Sequence, residues 1–112
     1  MPARTSDPFT QDYSVTLNGS GAGSVSFGPN RIGQRWVGPM TIAVNTSTAN
    51  LVPTAKATMG TVSLGTSYTG SADSDEISNV TVHVGQKITV AWTGGDPGAV
   101  ATASVTCTQE QW

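Results

Sequence analysis

Charge is the first thing this chain has little of. Asp, Glu, Lys and Arg make up 11% of its 112 residues, against roughly a quarter in an ordinary soluble domain. The basic side chains, Arg4, Arg31, Arg35, Lys56 and Lys87, are scattered, and the net charge is −2. No stripe exists to track phosphates, so no nucleic-acid partner is expected. Leucine occurs only at positions 17, 51 and 64 and glutamate only at 76 and 110, which leaves little to build helices from. A lone cysteine, Cys107, excludes an intrachain disulfide. A lone histidine, His83, has no second histidine to share a metal and no obvious triad partner. No apolar run approaches a membrane span, so no membrane partner is expected. The segment Met1-Pro-Ala-Arg-Thr-Ser-Asp-Pro8 lacks the apolar stretch of an export signal, which predicts a protein made and kept in the cytoplasm or leaving it within a larger body.

What the chain does have is Thr, Ser, Val, Ala and Gly, a strand-forming composition. The most regular part is Val80 to Cys107. Ile88, Val90 and Trp92 alternate with Lys87, Thr89, Ala91 and Thr93, and Ala99, Ala101, Ala103, Val105 and Cys107 alternate with Thr102, Ser104 and Thr106. Period two marks half-buried strands. Val80, Val82 and Val84 add a third strand, and the turn Gly94-Gly-Asp-Pro-Gly98 supplies the conformations a tight connection needs. These three strands are expected to form a meander.

Earlier in the chain, Tyr13, Val15 and Leu17 read as a strand, and Val25 with Phe27 as a second one across a hairpin turn. Arg35 to Val44 is a third, interrupted at Gly38-Pro39 by a bulge or an edge position. Ala55, Ala57 and Met59 give another, and Ser71 to Glu76 reads as an acidic loop. Seven or eight short strands at such spacing predict an all-β domain, an antiparallel β-sandwich or jelly roll. Its expected core is Val15, Leu17, Phe27, Trp36, Ile42, Val44, Val82, Ile88, Val90 and Trp92.

Candidate chemistry is thin. His83 has the opposite parity to Val82 and is expected to face solvent or an interface, while Cys107 shares the face of Val105 and reads as a small buried hydrophobe. Asp73, Asp75 and Glu76 lack the spacing of a calcium loop. The Gly-x-Ser-x-Gly elbow of hydrolases is absent. No catalytic residue, cofactor or metal is expected, and the protein reads as a non-enzyme. Tyr68 and Trp112 are candidate interface aromatics; in a carbohydrate-binding module they would be the residues on which sugar rings stack.

Three segments taken together carry a resemblance: Gly23-Ser-Val-Ser-Phe-Gly-Pro29, then Gly33-Gln-Arg-Trp36 leading to Ile42-Ala-Val-Asn-Thr-Ser47, then Val84 through Trp92-Thr-Gly-Gly-Asp-Pro-Gly98 to Ala99. In these the chain resembles the small Thr/Gly-rich virion proteins of tailed phages of actinobacteria. The resemblance covers most of Ser14 to Thr106, and the Trp92–Gly98 turn is its most specific part. It implies a structural protein of a bacteriophage virion, assembled in the host cytoplasm. The leading expectation is a homo-oligomeric capsid decoration protein that stabilises the head and binds the major capsid protein. A minor tail or tail-tip protein contacting the host surface is the alternative.

Residues 1–12 carry Pro2, Pro8 and an isolated Phe9 without periodicity. They are expected to form an extended N-terminal arm beside a sandwich domain of residues 13–112, ordered only on a partner. Phe9 would be the anchor in a partner pocket, next to Pro8, with Arg4 and Asp7 setting register. On that expectation, residues 1–11 can be removed without unfolding the domain.

Overall fold

The computed structural model describes residues 5–47, 50–60, 62–69, 72–77 and 80–111. Among these are nine strands and no helix: β1 (Thr5–Thr16), β2 (Gly23–Phe27), β3 (Gln34–Thr46), β4 (Thr54–Met59), β5 (Val62–Thr69), β6 (Ala72–Ile77), β7 (Thr81–His83), β8 (Ile88–Thr93) and β9 (Val100–Gln111). They form two antiparallel sheets packed as a sandwich. One has the order β1-β9-β3-β6, with β7 also on β3; the other has the order β2-β8-β4-β5.

Alternation decides what is inside. Ile88, Val90 and Trp92 of β8 are fully buried, as are Ala101, Ala103 and Val105 of β9 and Met40 and Ile42 of β3. Every expected core residue except Val15 is buried; Val15 is only partly covered and packs against the cluster. Alanines fill much of the remaining interior, with Ala55 and Ala57 on β4 facing the core. Small side chains there leave room for the two large indoles, Trp36 and Trp92.

The outer faces explain the scarcity of charge. Across the first sheet the rows read Thr10–Thr106–Thr41–Glu76 and Asp12–Ser104–Ala43–Ser74. Across the second, one row reads Ser26–Thr89–Thr58–Ser63. Neighbouring groups in these rows bond one another: Ser104 Oγ donates to Asp12 Oδ1 at 2.6 Å, and Ser26 Oγ lies 2.9 Å from Thr89 Oγ1. Hydroxyls do on these faces what charged residues do on most surfaces.

Three expectations need correction here, and one pair of alternatives is decided. The strands β7, β8 and β9 are not a meander: β7 and β9 lie in one sheet and β8 in the other. The β1–β2 connection likewise crosses between sheets and is not a hairpin. The Gly38-Pro39 interruption, a cis bond, coincides with a register shift between Val37 and Thr41, so the bulge reading holds, but β3 is a central strand and not an edge. The acidic segment is not a loop. It is edge strand β6, where Asp73 and Asp75 fold back to accept the N–H groups of Ser74 and Glu76 at 2.8 and 2.9 Å. Carboxylates on an edge blunt its capacity to pair with other chains.

The boundary expected at residue 13 falls inside β1. This strand pairs with β9 without interruption from Thr5↔Gln111 to Thr16↔Val100. From Thr5 onward, the segment that lacks periodicity is ordered by pairing with β9, because backbone pairing does not require apolar side chains. Leu17 N–H donates to Ala99 O at 2.8 Å. Alternation from that bond directs the nitrogen of Pro8 to the open edge, where no ladder bond is lost. Removing residues 1–11 would therefore strip most of an outer strand from the sheet.

Candidate functional site

The most built concavity lies at one end of the molecule, between β1, the end of β9 and the connection from Gly28 to Gly33. It is an open groove of about 490 Å³. Its floor is aromatic. Phe9 lies against Trp36 with ring centroids 4.8 Å apart, Trp36 against Phe27 at 6.2 Å, and Tyr13 is stacked on Phe27 at 4.4 Å with the planes 7° apart. Phe9 and Tyr13 occupy inward positions four residues apart on β1 and remain partly open, whereas Phe27 and Trp36 are buried beneath them.

The walls are amides. Here the first sheet runs past the shorter strands of the second, so inward positions that elsewhere carry Val or Ala carry Gln109 and Gln111 on β9 and Gln34 on β3. These side chains pin the Gly28–Gly33 connection in place. Gln111 Nε2 donates to Ile32 O at 3.0 Å, and Gln34 Oε1 accepts from the Asn30 N–H at 3.1 Å. The Trp36 indole N–H donates to Gln109 Oε1 at 3.1 Å, which turns the Gln109 amide nitrogen away from the indole as a spare donor. Gln11 and Arg31 complete the lining, both exposed.

Electrostatically the groove is mild. Among the described residues its lining contains one charged side chain, Arg31. Tyr13 is raised above its ordinary value, chiefly by burial and then by Cys107 nearby, so its hydroxyl stays protonated and can donate. Burial pushes the Cys107 thiol up to about 11, which makes it a packing residue and a poor nucleophile. This matches its expected role, and its burial beside Val105 and Ala103 agrees.

The residues singled out from sequence fall in different places. Phe9 is half-buried on Trp36 of its own chain, while Asp7 and Pro8 are exposed on β1. Arg4 and Trp112 lie outside the described residues, as does the side chain of Tyr68. His83 is exposed on β7, opposite Arg35. No group of three or more His, Cys, Asp or Glu that could hold a metal occurs among the described residues, and no helix among them is long and apolar enough to cross a membrane. The amides of the groove carry no sequence signature, since glutamine at an inward strand position reads locally as a break in the pattern.

The opposite end is closed. Gly95 N–H donates to Gly21 O at 3.0 Å and Gly98 N–H to Leu17 O at 3.0 Å. Asp96 receives the N–H groups of Asn50 and Leu51 at 3.0 and 3.1 Å. The Trp92–Gly98 turn thus latches three connections together. Gly21 is needed there: its φ is +71°, and a Cβ would sit 1.9 Å from Gly95 O.

The fold and these two ends define a small antiparallel β-sandwich with one latched end and one open, amide-walled groove. No protein-family model matches the chain, and comparison with curated proteins finds no match.

Proposed function

We propose that the protein is a non-enzymatic structural component of a tailed-phage virion, and in the leading version a decoration protein on the outer face of the capsid. The observation that carries this is the Trp92–Gly98 segment. The stretch on which the resemblance is most specific is a latch that fixes connections, with its one carboxylate occupied by backbone N–H groups. A latch of this kind holds a small module rigid, as a shell component needs, and this supports the reading. The hydroxyl-rich sheet faces suit contact with neighbouring subunits or the major capsid protein, because covering a hydroxyl costs less than covering a charge. Many copies joined through modest contacts would stabilise a shell by avidity.

The groove favours a second reading, a tail protein that meets the host surface. It lies at one tip of a molecule 54 Å long and 24 Å across, a placement suited to reaching outward. Counting copies in purified particles by quantitative gel separates the two. Copies in numbers comparable to the major capsid protein are expected for decoration, and a few per particle for the tail. Absence from purified particles would overturn both.

A further inference from the structure

We infer that the groove is a saccharide-binding site, shaped for a short acidic oligosaccharide whose rings lie on Phe9 and Tyr13 and whose carboxylate meets Arg31.

Three features lead there. The first is the floor. A sugar ring presents a face of C–H groups that packs on an aromatic ring, and small-ligand sites combine such surfaces with a few convergent polar groups. Phe9 and Tyr13 are the partly open members of the aromatic row, four residues apart on one face of β1. That is about 13 Å along a strand, the reach of a short chain of sugars and more than one ring needs. The groove volume, about 490 Å³, falls within the roughly 300–1,000 Å³ usual for small ligands.

The second is the wall. Side-chain amides carry a donor and an acceptor in one plane and can serve two neighbouring sugar hydroxyls together. Gln11, Asn30, Gln34 and Gln109 all line the groove. Gln34 and Gln109 are held in place by bonds to Asn30 N–H and the Trp36 indole, so less side-chain freedom is lost on binding. Tyr13, kept protonated, adds a hydroxyl donor.

The third is the charge. Among the described residues Arg31 is the one charged side chain in the lining, and no described carboxylate lines the groove with it. A guanidinium without an acid beside it is suited to a bidentate carboxylate from the ligand. One cation is too little for a nucleic acid. A peptide would use the open backbone edge of β1, whereas the groove opens on that strand's inward side chains.

The test is a glycan array of neutral and acidic oligosaccharides with the full chain, followed by NMR titration with trigalacturonic acid and with maltotriose. Binding to acidic members is expected, with shifts at Phe9, Gln11, Tyr13 and the Trp36 indole, and a loss of roughly tenfold in Arg31→Ala. Arg31→Lys should recover only part of the loss, since a point charge lacks the fork. Gln11→Ala should also weaken binding. Both positions are exposed, so the unfolding midpoints of these variants should match the parent and exclude misfolding as the cause. Absence of any array binding together with absence of groove shifts at millimolar sugar overturns the site. Shifts confined to the Gly94–Gly98 end do so too. Equal binding of maltotriose, unaffected by Arg31→Ala, overturns the acidic assignment. The inference does not depend on head or tail location: the copy count can fail while sugar binding stands, and the reverse.

Discussion

At the Gly94–Gly98 end, connections are tied by backbone bonds and by one carboxylate, Asp96, whose oxygens are taken by backbone N–H groups, with glycines where no side chain fits; at the Gln111 end, they are tied by amide side chains that leave a hollow. The two buried tryptophans follow the same division. Trp36, under the groove, has its indole N–H bonded to Gln109. Trp92, next to the latch turn, is fully buried, and its indole N–H finds no partner among the described residues. Backbone ties are rigid and specific but offer nothing to a ligand. Side-chain ties are individually weaker and present spare donors and acceptors. The first kind of end suits holding a shape, the second suits recognition.

The contrast can be broken most strongly at Gly21. A methyl group there meets Gly95 O and also faces the positive-φ penalty, so Gly21→Ala should cost about 3–5 kcal/mol in chemical unfolding. A cost under about 1 kcal/mol would show that the latch yields easily. The next largest effect is one of pH, beneath the groove. Cys107 ionises at about 11 when folded, against an ordinary 9.0. Above 9.0 the unfolded chain gives up this proton first, so stability is full below that pH and falls towards 11, by roughly 2–3 kcal/mol. Urea midpoints measured across this window should slope downwards, and Cys107→Ala should remove most of the slope; Tyr13, raised in the same sense, leaves a smaller part. Asp96→Ala should cost about 2 kcal/mol, because two N–H groups lose a charged acceptor. Gln109→Ala, its counterpart in the groove, should cost about 1 kcal/mol, by freeing the Trp36 indole N–H. If the order of these last two reversed in calorimetry, the groove end would be the stronger tie.

Much of this fold was legible because inward positions advertise themselves where two sheets face each other. Ile88, Val90 and Trp92 on β8, and Ala101 to Cys107 on β9, read correctly from alternation alone. The same rule failed wherever only one sheet is present. The first half of β1 places Thr5, Asp7 and Gln11 at inward positions, and with nothing opposite them no apolar residue is required, so a strand looked like an arm. Edge strand β6 carries Asp73 and Asp75 where an interior strand would carry Val, and it looked like a loop. Sheet membership was also hidden: period two says that a strand has a buried face, not which sheet it joins, and three consecutive strands were therefore misread as neighbours. The groove combines both blind spots. Its amides lie beyond the cover of the second sheet, and the partners brought together, Tyr13 with Phe27 and Trp36 with Gln109, are distant in sequence. Phe9 stood out as an isolated aromatic, but nothing local pointed to Trp36 as the ring it packs on.

The pairing of β1 with β9 also has a consequence in time. Thr5 bonds to Gln111 across a separation of 106 residues, so the first strand emerges from the ribosome long before its partner exists. At ordinary rates of synthesis the wait is roughly 5–20 s. A strand left waiting with a free edge on each side is a hazard to its own kind. The composition of Thr5–Thr16 meets this hazard. It has Asp7 and Asp12 to repel copies of itself, Pro8 to break any continuous ladder, and hydroxyls between. The residues that made this segment hard to recognise as a strand are those that keep it harmless until the last twelve described residues arrive to claim it.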